Sequence, residues 1–354
     1  MVSPITIFSI AGLIFIALFI LIMVGQIKKA RLISSYTPPG RLVDIGGYRL
    51  HINYQGDGGP SVILDAGQGE SSLSWGAIQR EVAGTTRACA YDRAGIGWSD
   101  PSPRPRRARV MAEELHRLLE NAGVPKPYVL VGASLGGLNS RVYAHLYPED
   151  VSGLVLLDAA HEEQYLPEAI QKALKQMAGM MSIMGGFAQL VVGSGLAALF
   201  PRLLPGGSVG SDREAGRIDR TLRVARNDYM KASIQEIKDV GLSHAEVREM
   251  VISNLGDIPI RVIRHGMVQA QMMPEVTEVI EETNRRLQAK VAEQSPNARL
   301  IVAGESGHAI QIDQPALVVE AILEVVSLAL EQNRVRSTGP GSPNGYKKER
   351  TAQP

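Results

Sequence analysis

The sequence predicts an α/β fold, with a mostly parallel β-sheet covered on both faces by helices. Seven short apolar runs bounded by turn residues are typical of buried strands. These runs are Arg49–Tyr54, Ser61–Asp65, Ala88–Tyr91, Tyr128–Val131, Gly153–Leu157, Ile258–Ile263 and Ala298–Ala303. Apolar residues recur at helical spacing near residues 108–121, 135–147 and 315–332. Because helices alternate with the strands, the pattern favours parallel pairing.

Length and composition are those of a globular protein. The 354 residues suffice for one large domain or two ordinary ones, and 45% are apolar, which is ordinary for a well-filled core. The net charge of +1 provides no overall field to attract nucleic acid, so we expect no nucleic-acid partner. Cys89 is the sole cysteine, which excludes a disulfide framework within the chain.

The N-terminal segment predicts a transmembrane helix over residues 5–26. No charged side chain precedes Lys28, and the run from Ile5 to Val24 is almost wholly apolar. Twenty such residues in a helix span about 30 Å, the thickness of the hydrocarbon core of a bilayer. A cleaved signal peptide is the alternative, but it would normally show a basic flank and a shorter apolar run. The sequence therefore favours a retained single-pass anchor, with the lipid bilayer as a partner.

Basic residues after the span set the expected orientation. Lys28, Lys29, Arg31 and Arg41 all follow the apolar run. Cytoplasmic flanks of membrane spans are enriched in such residues, so we expect the bulk of the chain to lie in the cytoplasm.

Composition also predicts how the rest of the chain is divided. Residues 27–40 are predicted to be a linker, because Pro38, Pro39 and Gly40 cannot continue a helix. The folded domain is predicted over residues 41–333. Residues 334–354 are rich in Ser, Gly and Pro with few large apolar side chains, which predicts a disordered tail.

A helical cap is expected within the domain, over about residues 162–255. This stretch lacks strand patterns and carries helical ones, such as Glu214 to Ile237, between two predicted strands. Gln176 to Pro201 has no charged residue and is rich in Met, Gly, Leu and Ala. We expect it to line an apolar pocket or to lie against the membrane surface. A second span is a poorer interpretation, because five glycines interrupt the stretch.

A candidate nucleophile lies directly behind the apolar run Tyr128–Val131. Residues 132–136 form a G-x-S-x-G pentapeptide around Ser134. The pattern is typical of a strained strand-to-helix turn that exposes the serine hydroxyl and needs small neighbours. The chain contains 36 glycines, so the pentapeptide gains meaning only if a base, an acid and an oxyanion hole accompany it.

The base is predicted to be a histidine, since a serine hydroxyl is a weak nucleophile until an imidazole removes its proton. His308 follows the last predicted strand, where a loop could bring it over the serine turn. His161 also follows a strand end and is the alternative.

An oxyanion hole needs two backbone N–H groups aimed at the carbonyl oxygen. Leu135, the residue after the nucleophile, is predicted to supply one of them. The loop after an early strand, Asp65 to Glu70, is predicted to supply the other through Gln68, whose glycine neighbours allow close approach.

From about residue 41 to 330 the chain resembles the α/β-hydrolase fold superfamily in its lid-bearing form. Five segments in this order carry the resemblance: Val62–Gly69, Tyr91–Ser99, Val131–Gly137, Leu154–Asp158 and Ser306–His308. The resemblance implies a mainly structural role for the loop containing Asp92 and Arg93. Ala133 stands where relatives often have histidine, a side chain outside the triad.

The resemblance leaves two positions for the triad acid. Relatives usually place it just after the next-to-last strand, where this chain has no acid until Glu275. A second known placement follows the next strand after the helix that begins at the serine turn, and there this chain has Asp158. Both fit the order serine, acid, histidine. Asp158 is preferred because it directly follows a strand, and Glu275 is the alternative.

Together these residues predict a membrane-anchored serine hydrolase of esterase or lipase type, cleaving carboxylic esters through an acyl-enzyme. The anchor and the apolar cap favour a hydrophobic ester substrate. No metal or organic cofactor is expected, because no cluster shows ligand spacing. A serine nucleophile argues against the epoxide hydrolase and haloalkane dehalogenase branches of the superfamily. The alternatives are acyl transfer, amide or thioester hydrolysis, haloperoxidase chemistry, a non-catalytic ligand receptor, and a membrane scaffold with a degenerate site.

Overall fold

The computed structural model describes residues 3–164, 179, 184–201, 209–210, 212–268 and 274–338, without the side chains of 274–276 and 336–338. Its strands form one sheet and are β1 Arg41–Asp44, β2 Arg49–Gln55, β3 Ser61–Asp65, β4 Ala88–Tyr91, β5 Tyr128–Ala133, β6 Val151–Leu157, β7 Ile260–His265 and β8 Ala298–Ala303. The strand order is β1-β2-β4-β3-β5-β6-β7-β8. β2 pairs antiparallel with β1 and with β4, and every neighbour from β4 to β8 is parallel.

Helices connect and cover the strands. The α-helices are α1 Pro4–Ser35, α2 Gly76–Val82, α3 Ala108–Ala122, α4 Leu135–Leu146, α5 Met184–Gly193, α6 Leu196–Leu199, α7 Arg213–Ala225, α8 Asn227–Met250, α9 Pro274–Ala292, α10 Ile310–Asp313 and α11 Pro315–Thr338. Short 3₁₀ turns occur at Ser72–Trp75 and Pro148–Asp150. The predicted fold class, a mostly parallel sheet flanked by helices, is confirmed.

The core forms two apolar layers, one on each face of the sheet. Side chains alternate across a strand, so Ile63 joins the layer under α3 and α4, whereas Leu64 joins the layer under α2 and α11. The central strands β3, β5 and β6 are buried along their whole length. The sheet therefore holds the carboxyl ends of these strands rigidly at one edge.

The N-terminal helix is longer than predicted. α1 continues to Ser35, so the prediction of a linker over residues 27–40 is wrong for its first nine positions. The sequence has no helix-breaking residue between Lys28 and Ser35, and the proline pair comes only at Pro38. Among the described helices, α1 is the one long and apolar enough to cross a membrane.

The C-terminal half of α1 contacts the segment between β6 and β7. Gln26 Nε2 donates to Gly193 O at 2.7 Å, and Lys29 Nζ donates to Asn227 Oδ1 at 2.7 Å. Gly25 lies so close to Gly195 that a Cβ on it would meet the Gly195 carbonyl oxygen at 2.6 Å. The apolar helix and the cap are thus joined by specific contacts.

The predicted cap corresponds to α5–α8, and its described residues contain no strand. The helical pattern from Glu214 to Ile237 is two helices, divided at Arg226, where the backbone becomes extended. Of the apolar stretch Gln176 to Pro201, residues 176–178 and 180–183 lie outside the described residues.

The predicted C-terminal tail begins later than expected. α11 extends to Thr338, so residues 334–338 are helical rather than part of a tail. Residues 339–354 lie outside the described residues, and the disorder predicted for them stays a prediction.

Candidate active site

Ser134 lies on a tight turn between β5 and α4, with φ 51° and ψ −113°. A side chain in this conformation is strained, and the turn is held by the Ser134 N–H, which donates to Leu157 O at 2.9 Å. A Cβ on Gly132 would lie 2.3 Å from Gly136 O, and a Cβ on Gly136 would lie 2.3 Å from Asp65 O. The glycines of the pentapeptide are therefore required by packing between strand, helix and the neighbouring loop.

Asp158 follows β6 directly and brings a buried carboxylate to the same edge of the sheet. Its backbone also has a positive φ, 43°. Its Oδ2 accepts a hydrogen bond from His308 Nδ1 at 2.5 Å. A carboxylate only accepts, so His308 carries its hydrogen on Nδ1 and Nε2 is the basic nitrogen.

Ser134, Asp158 and His308 line one cleft of about 300 Å³. The cleft is open to solvent, and the His308 side chain is half-exposed within it. The structure thus brings together the three residues that the sequence assigned to nucleophile, acid and base.

A second histidine contacts the same carboxylate, and the sequence analysis missed it. His265, the last residue of β7, donates from Nδ1 to Asp158 Oδ2 at 2.7 Å and from Nε2 to Glu281 Oε2 at 2.8 Å. Asn284 Nδ2 donates to Asp158 Oδ1 at 3.1 Å. Glu281 and Asn284 lie on α9, which the strand-and-helix pattern did not predict. His265 itself was visible as a polar residue two positions after the predicted strand Ile258–Ile263.

The hydrogen bonds shift the pKa values of these groups. Burial opposes the charge of Asp158, but the two imidazole donors outweigh it and hold the pKa of Asp158 well below its ordinary value. The hydrogen bond to Asp158 raises the pKa of His265 to about 9 against partial burial. The same kind of bond raises the pKa of His308, while burial and the charge of His265 oppose that rise. At neutral pH, Asp158 is ionised and His265 is protonated.

The amides chosen for the oxyanion hole lie on two adjacent turns. Leu135 begins α4, and Gln68 lies on the loop after β3 with an exposed side chain. Neither N–H donates to another residue within the described part of the chain. Their role as an oxyanion hole stays a prediction.

Arg93 holds the loop that carries Gln68. Its guanidinium donates to Asp65 Oδ1 at 2.8 Å, to Ala66 O at 2.7 Å and to Gly67 O at 2.7 Å. It also donates to both carboxylate oxygens of Glu236, a buried residue of cap helix α8, at 2.8 and 3.1 Å. Glu236 in turn accepts from Gly69 N at 2.8 Å. The loop is therefore fixed between the sheet and the cap by a buried ion pair.

The alternative base, His161, lies elsewhere. His161 lines a different cleft, of about 330 Å³, and accepts from Glu163 N at 3.0 Å. Burial and the nearby Arg141 lower the pKa of His161 to about 4. Glu275 lies in the first turn of α9, and its side chain is outside the described part of the structure. Among the described side chains of α9, Glu281 lines the cleft.

Within the described residues, one group of side chains is close enough to share a metal ion. The ligand atoms of Asp158, His265 and His308 lie within 4.8 Å of one another. These atoms already serve as donors and acceptors to each other, so a metal ion would have to displace both hydrogen bonds.

Known proteins resemble this chain in sequence and in fold. A model of the α/β hydrolase fold family matches residues 60–200. An AB hydrolase superfamily protein of Gibberella zeae is 25% identical over 294 residues, 76% of this chain and 87% of that protein. A probable transporter of Hormonema carpetanum is 37% identical over 140 residues, 37% of this chain but only 20% of that protein.

The solved structure of a thermophilic esterase from Thermogutta terrifontis superposes with a TM-score of 0.54. The alignment is 22% identical and covers 80% of this chain and 94% of that one. At this identity the likeness concerns the fold, and it agrees with the strand order, the serine turn and the family match. The chain therefore has the α/β-hydrolase fold, matches the model of that fold family over residues 60–200, and carries an apolar helix ahead of that segment.

Proposed function

We propose that this protein is a membrane-anchored serine hydrolase that cleaves hydrophobic carboxylic esters with Ser134, His308 and Asp158. One observation carries the proposal. The hydrogen bond from His308 Nδ1 to Asp158 leaves Nε2 as a base in the cleft into which the strained Ser134 turn opens. Activated serine hydrolases need this relation of nucleophile, base and acid.

The proposed reaction has two halves. His308 Nε2 takes the proton of Ser134 Oγ as the oxygen attacks the ester carbonyl, and the N–H groups of Leu135 and Gln68 stabilise the oxyanion. The C–O bond then breaks, and His308 returns the proton to the leaving alcohol. In the second half a water molecule attacks the acyl-serine, giving its proton to His308, and the carboxylic acid leaves as Ser134 regains its proton. Asp158 fixes the His308 tautomer and stabilises the imidazolium in both halves.

The hydrophobic substrate class is supported by the surroundings of the anchor. α1 presents an apolar 18-residue window that contains no buried residue. α5, whose last residues contact α1, exposes Met184, Phe187 and Leu190, which are 64, 69 and 72% exposed. An apolar face beside a membrane span lowers its free energy by contact with lipid. We propose that α1 crosses the bilayer once. The hydrolase domain then lies on the cytoplasmic side, because basic residues directly follow the apolar run.

Turnover by purified full-length protein in detergent tests the proposal. We expect a fluorophosphonate probe to label the protein at one residue, and 4-nitrophenyl esters of short and long acyl chains to be hydrolysed over many turnovers. Ser134→Ala should abolish labelling and lower turnover by at least about 10³-fold, since it removes the nucleophile.

Three results would contradict the proposal or part of it. Unchanged turnover in Ser134→Ala would exclude the serine mechanism. Labelling of Ser134 without turnover of any ester would instead favour a ligand receptor with a reactive serine. A preference for short, water-soluble esters would remove the hydrophobic substrate class and leave the mechanism intact.

A further inference from the structure

The contacts of His265 exceed what a structural histidine needs. Both ring nitrogens face carboxylate oxygens, Asp158 Oδ2 at 2.7 Å and Glu281 Oε2 at 2.8 Å. Ionised carboxylates only accept hydrogen bonds, so this arrangement favours hydrogen on both nitrogens and an imidazolium ring. His265 is buried, and a buried charge persists when it is paired on both sides.

The Oδ2 atom of Asp158 is shared between two imidazoles. It accepts from His308 as well as from His265, and Asn284 occupies Oδ1. Four elements therefore fix the carboxylate: β6, which carries it, the end of β7, α9, and the loop after β8. Because His265 already neutralises much of its charge, Asp158 attracts a proton on His308 less strongly than an unshared carboxylate would.

We propose that His265, held by Glu281, is a positioning residue that acts through Asp158. It aims the carboxylate at His308 and limits how strongly that carboxylate retains a proton on His308. The inference rests on the proposed function, because it concerns the base of the same triad. It explains how an acid placed after β6, on a residue with positive φ, is kept in line with the base.

The other charged groups around the pair are few in the described structure. Facing His308 are Asp158, His265 and, from the loop after β3, Glu70. Facing His265 are Asp158, Glu281 and the His308 ring. Arg264 donates to the His265 carbonyl oxygen rather than to its ring. Removal of the His265 side chain therefore makes the surroundings of His308 more negative, and removal of the Glu281 charge makes them more positive.

The rate of labelling by a fluorophosphonate probe as a function of pH tests the inference. This rate reports the pKa of the base in the free enzyme and requires no known substrate. His265→Asn removes a positive charge beside Asp158, so His308 should hold its proton more strongly. The acid limb, the low-pH part of the profile where the labelling rate rises as His308 loses its proton, should therefore move to higher pH by about one unit. The plateau rate should also fall, by less than in Asp158→Asn.

Glu281→Gln is the matched variant. Glutamine still accepts from His265 Nε2, but a negative charge is lost while Asp158, the main cause of protonation, keeps His265 charged. The acid limb should therefore move to lower pH, by less than one unit because Glu281 is farther from His308. His145→Asn, an exposed change on α4, should leave the limb where it is.

The outcomes separate the two levels of the argument. If wild type is not labelled, or Ser134→Ala is, the proposed function fails. If wild type is labelled but His265→Asn leaves the limb unmoved, the positioning role fails while the triad stands. If His265→Asn does not fold, the direction in which Glu281→Gln moves the acid limb is the test. An acid limb that does not move, or that moves to higher pH, overturns the inference.

Discussion

At the scale of residues, the candidate site depends on one shared carboxylate. Asp158 meets His308, His265 and Asn284 at hydrogen-bond distance, and helix α9 contributes Glu281 to the same cleft. The sequence could place Asp158 at a strand end and Ser134 on a glycine-lined turn. It could not find His265 and Glu281, because their roles arise from side chains that meet across β7 and α9 without any spacing motif.

Asp158→Asn and Glu275→Gln distinguish the two acid candidates. An asparagine at 158 can no longer stabilise the His308 imidazolium, so ester turnover should fall about 10³- to 10⁴-fold. Glu275→Gln should change turnover by less than about threefold, because Asp158 already supplies the carboxylate that His308 needs. Steady-state kinetics of both purified variants, with thermal unfolding as the folding control, measure the ranking. A larger loss in Glu275→Gln would reassign the acid.

At the scale of elements, the site exists because parallel strands end at one edge of the sheet. β5 delivers Ser134, β6 delivers Asp158, β7 delivers His265, and the loop after β8 delivers His308. Ligand sites in open α/β sheets form outside these carboxyl ends. The cap contributes from the other side, since Glu236 on α8 pairs with Arg93 and fixes the loop of Gln68.

Glu236→Ala tests whether the cap supports the oxyanion loop. The change leaves Arg93 buried beside Asp65 alone, and loss of one partner of a buried pair costs about 3–5 kcal/mol of unfolding free energy. The labelling rate at Ser134 should fall as well, because Gly69 N loses its acceptor. Urea unfolding and probe labelling of detergent-solubilised protein give the two readouts. Glu249→Ala, an exposed change on the same helix, should alter unfolding by no more than about 0.5 kcal/mol. Equal effects of the two variants would show that the buried pair is not needed.

At the scale of the whole molecule, an apolar helix is joined to a hydrolase fold through its cap. α1 contacts α6 and α7, and Val191 and Val192 of α5 pack with Leu32 of α1 in one apolar cluster. Lys28 and Lys29 donate to carbonyl oxygens of the cap at 3.1 and 3.2 Å. The proposed membrane placement therefore fixes the cap at the bilayer surface rather than leaving the domain on a loose tether.

Site-directed fluorescence in liposomes tests this placement. Cys89 is fully buried, and burial raises the pKa of its thiol to about 12, so an introduced cysteine can be labelled selectively. A nitrobenzoxadiazole fluorophore at Phe15→Cys should be quenched by spin-labelled lipid, and one at Phe187→Cys should be quenched less strongly. The fluorophore at Asp57→Cys, whose native side chain is 96% exposed, should not be quenched.

The probes at positions 15 and 187 give distinct contradictions, and position 57 is the control. An unquenched probe at position 15 would exclude the membrane span. Quenching at position 15 with none at position 187 would keep the span and remove the cap from the membrane surface.

The sequence by itself determined the fold class, most of the strand bounds, the serine turn and the apolar helix, because these depend on local patterns of apolar residues and glycines. The predicted strands at Ser61–Asp65, Ala88–Tyr91 and Ala298–Ala303 match the structure to the residue. Tertiary structure alone decided the rest. Edge strand β1 is defined by its pairing with β2, and the C-terminal part of α1 docks on α5 and α6. Two ion pairs, His265–Glu281 and Arg93–Glu236, form only when distant segments meet. The partners of a side chain are set by packing and not by its neighbours along the chain.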